Sequence, residues 1–245
     1  DEGFRVSAAL AAAEDWLIIG TGDHETSEAW LVPADAPLTP PKLVKARQKG
    51  VEYDVDVRPG ADGATLFVHT NDTHENFRLA TAPLDKPDEW TTLIEGTSQF
   101  YLTGFELFRD FYVVDGRLGG LDRIEVRYYD DPARIEPIEF PEASYTAHLG
   151  NNPEFDQTVL RVGYESMISP ASTYDYDVAA QALTLLKVQE IPSGYDRSLY
   201  VTERLEIAAR DGTKVPVSVM YRKDRASPGP LHLYGYGAYG IAIPP

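Results

Sequence analysis

The chain has 245 residues, 43% of them hydrophobic and 25% charged, which places it among globular chains large enough to bury a substantial core and excludes disorder as the default. Asp and Glu total 39 against 22 Lys and Arg, a formal charge of -17 at pH 7, so nucleic acid and anionic membrane surfaces are excluded as partners by repulsion. Cysteine is absent, which removes disulfides, thiol nucleophiles and thiolate metal sites, and no run approaches the roughly 20 apolar residues of a membrane helix.

The chain opens on Asp1-Glu2-Gly3-Phe4-Arg5, neither an initiator methionine nor a signal peptide, and reads as a cut inside a longer protein with a cytoplasmic expectation. Helical periodicity is confined to the alanine-rich stretch 8–13, and its neighbours favour a strand there: Phe4-Arg5-Val6-Ser7 alternates, and Glu14-Asp15 makes a turn into Trp16. Strongly apolar runs begin near Trp16, Ala64, Asp110 and Thr158, at separations of 48, 46 and 48 residues. A polar-alternating run follows each, at Ala29-Trp30-Leu31-Val32, Phe77-Arg78-Leu79-Ala80, Ile124-Glu125-Val126-Arg127 and Tyr174-Asp175-Tyr176-Asp177. Shorter edge-like runs come next, at 43–44, 92–94, 135–138 and 183–187, and residues 4–7, 51–57, 100–105 and 145–149 supply an innermost strand for each unit. Four strands per repeat of about 40–50 residues is the pattern of β-propeller blades, and a sandwich has no reason to keep that period over four cycles.

The pattern changes at Ile191-Pro192-Ser193-Gly194, a domain-boundary linker, which divides the chain into a propeller part, 1–192, and a second part, 193–245. Runs at 205–209 and 215–221 flank Arg210-Asp211-Gly212-Thr213-Lys214, and Asp-Gly between alternating runs predicts a hairpin. Leu231-His232-Leu233-Tyr234 is then expected as a short buried strand, leading into Gly235-Tyr236-Gly237-Ala238-Tyr239-Gly240.

The hairpin, Tyr221-Arg222-Lys223 and the Tyr-Gly-Tyr-Gly run at 234–237 resemble the opening of the α/β-hydrolase domain in the prolyl oligopeptidase family of serine peptidases. Gly50-Val51-Glu52-Tyr53-Asp54-Val55, Thr70-Asn71-Asp72 and Tyr174-Asp175-Tyr176-Asp177 are similar to propeller segments of the oligopeptidase B branch. The resemblance implies a mainly β chain: about four blades of a partial β-propeller, with further blades upstream, followed by the first strands of an α/β-hydrolase domain. It implies hydrolysis of short peptides after Arg or Lys, with a propeller that restricts access to the catalytic cavity and with no cofactor. Acyl transfer needs a Ser on a Gly-x-Ser-x-Gly elbow and a His oriented by a carboxylate; no such elbow occurs in these residues, so the chain by itself is expected to be inactive.

By resemblance, Tyr236 matches the second tyrosine of the Tyr-Gly-Tyr-Gly pattern, whose phenol donates to the oxyanion, and Tyr239 matches an aromatic wall of the primary specificity pocket. A phenol with an ordinary pKa near 10 stays protonated at neutral pH and can donate that bond. Pro244 departs from the branch, which carries acidic residues just after this turn. Asp54 and Asp56 share one face of a strand by the period of two and are expected as solvated channel neighbours rather than metal ligands, as are Asp175 and Asp177. His69 and His74 lack the His-Glu-x-x-His spacing of a zinc protease and are expected in polar loop. None of His24, His69, His74, His148 and His232 is assigned as catalytic base. The competing readings are a non-enzymatic propeller module, a prolyl-specific member of the same family, and a metal-dependent propeller lactonase, whose carboxylate and histidine cluster is not found.

Overall fold

The computed structural model describes residues 3–61, 63–226, 228–238 and 243–245. Four antiparallel sheets of four strands succeed one another along the chain, each a simple meander. The first joins β1 (Arg5–Leu10), β2 (Trp16–Gly22), β3 (Ser27–Pro33) and β4 (Lys42–Leu43); the second β5 (Tyr53–Arg58), β6 (Thr65–Thr70), β7 (Arg78–Pro83) and β8 (Thr91–Ile94). The third joins β9 (Phe100–Leu107), β10 (Phe111–Leu118), β11 (Leu121–Tyr128) and β12 (Ile135–Pro137); the fourth β13 (Thr146–Leu149), β14 (Val159–Glu165), β15 (Ser172–Asp177) and β16 (Ala182–Val188). These are the four blades that the spacing predicts. The alanine run is a strand: Ala8 pairs with Ile19 and Ala9 with Ile18, and the turn into β2 places Glu14 at φ +60° with its N–H on the Ala11 carbonyl.

Two compact units divide the chain, residues 1–117 with 125–136 and 152–157, and residues 118–124 with 137–151 and 158–245. In the first unit the middle blade is buried on both faces, as its strand pattern requires. Along β6, Leu66 and Val68 join Leu31, Val44, Val55 and Val57 in one apolar cluster, whereas Phe67 points the other way and packs with Leu79, Leu102, Tyr112 and Val114. The period of two thus gives one strand two cores. Close approach of β9 to β10 needs Gly116: a Cβ there would lie 2.8 Å from the Tyr101 carbonyl oxygen and against the Phe100 ring.

The second unit holds the fourth blade, where Leu160, Val162 and Tyr164 face inward and Val159, Arg161 and Glu165 outward. The Tyr164 ring packs among Phe140, Tyr145 and Tyr174. After a turn at 191–194 and a 3-10 helix, Arg197–Leu199, the predicted hairpin forms from β17 (Tyr200–Ala208) and β18 (Lys214–Arg222). Its turn uses Gly212 at φ +88°, a conformation that glycine adopts without strain.

One expected strand is absent. Residues 231–234 form no ladder, and Leu231 and Leu233 are 82% and 79% exposed rather than buried. A buried strand needs hydrogen-bonding neighbours and cover on its faces, and among the described residues no strand pairs with this segment.

Candidate functional site

In the first unit, an open cleft of about 540 Å³ is lined by Ser7, Ala9, Ile18, Ser27 and, from β5, Asp54 and Asp56. Alternation along β5 explains the acidic wall: Tyr53, Val55 and Val57 enter the core, which turns Asp54 and Asp56 to the opposite face. Both aspartates share that predicted face, but the expectation that both are solvated holds only for Asp54. Asp56 is withdrawn from water, and burial pushes its carboxyl up to about 6 although Oδ1 accepts from the N–H groups of Val57 and Ala12. Glu106 on β9 is pushed up to about 7, first by burial and then by the charge of Asp56.

His69 corrects a second expectation. It lies inside β6 rather than in a loop and is 5% exposed. Antiparallel pairing sets it opposite Asp54, whose Oδ2 is 2.9 Å from Nδ1; Nε2 is 3.1 Å from the Leu102 carbonyl oxygen on β9. Phe77 stacks on the ring at 4.6 Å between centroids, and its backbone is left-handed at φ +61°, unusual for a bulky residue. The imidazole therefore bridges two blades. His74 lies in the following loop as expected, where Nδ1 accepts from the Asn76 N–H at 3.0 Å.

A carboxyl with a value near 7 exchanges protons readily at neutral pH. Among the described residues no group of three or more His, Asp or Glu is arranged to hold a metal. Asp175 ion-pairs with Arg161 at 2.7 Å, and Asp177 accepts the Ala180 N–H at 2.8 Å, so both have structural partners.

Tyr236, the residue assigned to the oxyanion, is half exposed and lies in irregular chain. Tyr239 lies outside the described residues. Sequence reasoning missed the bridge between Asp54 and His69, although a signal was available: the hairpin joining 53–58 to 65–70 pairs these two residues once its register is counted. It also missed Glu142, a buried carboxylate in the second unit whose donors come from positions 22 to 55 residues away and leave no local pattern.

The comparisons with known proteins agree with the blade pattern. A family profile described as prolyl oligopeptidase, N-terminal beta-propeller domain, matches residues 1–189. Dipeptidyl aminopeptidase BI of Pseudoxanthomonas mexicana is 34% identical over all of this chain and 34% of its own length. Protease 2 of Moraxella lacunata is 29% identical over 98% of this chain and 34% of its own length. Among solved structures, oligopeptidase B from Trypanosoma brucei, in a closed form with covalently bound antipain, superposes with a TM-score of 0.89 at 32% identity, over 100% of this chain and 36% of that one. Oligopeptidase B from Leishmania major gives 0.88 at 29% identity over the same shares. The chain spans about a third of the length of these relatives. Four meandering blades at the predicted spacing, matched from residue 1 to 189 by that profile, establish that the chain belongs to the prolyl oligopeptidase family.

Proposed function

We propose that these residues are part of a longer cytoplasmic serine oligopeptidase that cleaves short peptides after Arg or Lys. Residues 1–192 are the part of its propeller that restricts access, and residues 193–245 open its catalytic α/β-hydrolase domain. The observation that carries this reading is the succession, in one chain, of a matched propeller domain, an Asp-Gly hairpin and a Tyr-Gly-Tyr-Gly run. A propeller that served only as an interaction module has no use for the last two.

In this reading Tyr236 donates its phenolic hydrogen to the oxygen that becomes negative when the serine attacks, and Tyr239 lines the pocket for the basic side chain. The exposure of Tyr236 supports a group that must meet a substrate. The formal charge of -17 and the acidic cleft wall favour cationic peptides over anionic ones. A second reading, release of dipeptides, is favoured by the name of the relative at 34% identity, a dipeptidyl aminopeptidase.

The test is steady-state hydrolysis by the longer protein of blocked arginine, blocked proline and unblocked dipeptide amides, with Tyr236→Phe beside it. The blocked arginine amide is expected to be the best substrate, and the variant to lose about 10²–10³ in kcat with KM little changed, the loss expected on removing one oxyanion donor. Preference for the unblocked dipeptide amide establishes the second reading. Unchanged kcat in the variant removes Tyr236 from the mechanism.

A further inference from the structure

The segment between the fourth blade and the hairpin is strapped to one turn of that blade. Residues 166–171 join β14 to β15, and Ser166 closes the turn at 166–169 by accepting from the N–H groups of Ile168 at 3.1 Å and Ser169 at 2.9 Å. Tyr195 donates its hydroxyl to the Ile168 carbonyl at 2.9 Å. Two residues further, Arg197 Nη2 lies 3.0 Å from Glu142 Oε1. The Glu142 side chain is 6% exposed, and it also accepts from the hydroxyls of Tyr164 at 2.9 Å, Ser166 at 2.6 Å and Ser169. Its support is rigid, because the Tyr164 ring stacks on Phe140 at 5.1 Å and meets Tyr174 edge-on at 6.2 Å.

These four donors differ in kind. Three are neutral hydroxyls of the blade itself, whereas the fourth is a charged group from the linker. A buried carboxylate must keep hydrogen-bond donors, and the three hydroxyls remain when the linker leaves. Arg197 is 52% exposed, so its guanidinium returns to water without a large desolvation change. The contact is therefore strong enough to hold the strap, being charge-assisted, yet separable without unravelling the blade. Arg197 stands three residues before the start of β17, so the contact lies where the chain enters the hairpin.

We propose that Glu142 is a positioning residue, a latch that holds the linker on the fourth blade through Arg197 and whose opening sets the size of peptide that reaches the catalytic domain. The proposal rests on the peptidase reading above for its functional half. It is tested in the longer protein with Arg197→Ala, Glu142→Gln and the double variant, by hydrogen exchange over residues 195–200 and by the ratio of kcat/KM for a peptide of about 30 residues to that for a blocked arginine amide. In Arg197→Ala, exchange over the linker is expected to quicken about tenfold while β14 and β15 keep their protection, because only the latch contact is lost. The long-to-short ratio is expected to rise about threefold or more in each single variant and no further in the double, since both substitutions remove the same ion pair between Arg197 and Glu142. A contact that only stabilises the blade leaves the ratio unchanged, and that result, or additive effects in the double variant, overturns the latch. If the unaltered protein cleaves neither substrate, the peptidase reading fails, and unchanged linker exchange in the same samples then refutes the strap on its own.

Discussion

Strand β6 carries a continuous apolar run, Leu66-Phe67-Val68, whereas the hairpin of β17 and β18 alternates apolar and polar residues, and the two end in opposite surroundings. Leu66 and Val68 on β6 are fully buried, whereas Leu205, Ile207, Val215 and Met220 on the hairpin are 39–49% exposed. Register is equally well formed in both, since Val55 pairs with Val68 and Leu205 with Val217. What differs is cover: blade residues lie on both faces of β6, and in the second unit no described sheet packs a core over these hairpin side chains. Pairing is therefore a local consequence of turn and alternation, while burial is supplied by neighbours distant in sequence.

The largest contrast should come from paired truncations in the 245-residue chain, followed by urea unfolding. Leu66→Ala is expected to cost about 2–5 kcal/mol, the range for a large buried aliphatic group that leaves a cavity. Ile207→Ala should change stability by no more than about 0.5 kcal/mol, as exposed sites do. Equal losses would show that the hairpin carries a core of its own.

Next in size is the bridge between the second and third blades. His69→Leu removes the partner of Asp54 and of the Leu102 carbonyl, and a loss of about 1–3 kcal/mol is expected in the same unfolding measurement. A loss near zero would make the bridge incidental to blade packing.

Acidity separates the two regions more gently. Asp56 and Glu106 have folded values of about 6 and about 7 against ordinary values of 3.8 and 4.5, so each stabilises the fold when protonated. That contribution is complete below the ordinary values and is lost as pH rises through the folded ones. Relative to Glu106→Gln, the unaltered chain should therefore lose stability between pH 5 and pH 8, by about 1 kcal/mol after discounting for the solvent that reaches this carboxyl. Parallel pH profiles for the two chains would contradict the burial of Glu106.

The smallest effect is expected at the hairpin turn. Gly212→Ala places a side chain at φ +88° and should cost about 1 kcal/mol, confined to faster amide exchange in β17 and β18. Loss of protection in the blades as well would couple the hairpin to them.

These contrasts follow the line between what was legible and what was not. The sixteen blade strands and the hairpin could be read because alternation, spacing and Asp-Gly chemistry act within a few residues. The same reasoning took residues 231–234 for a buried strand, since an apolar run records a preference for burial without stating what provides it. His69 was read by its spacing to His74 when its strand partner, Asp54, was the informative neighbour. Glu142 gave no sign at all, because Tyr164, Ser166, Ser169 and Arg197 meet it only after the fourth blade has folded. Tyr236 was legible through family resemblance alone; its exposed, irregular segment offers no packing argument for the assigned role.

The most direct measurement is hydrolysis of benzoyl-arginine amide by the purified 245-residue chain beside the longer protein. The account predicts turnover by the longer protein, abolished by a serine-directed inhibitor, and none by the 245-residue chain, whose sequence has no Gly-x-Ser-x-Gly elbow. Inhibitor-sensitive turnover by the 245-residue chain itself would contradict it, because the nucleophile and its base would then lie among residues assigned here to substrate access and oxyanion binding.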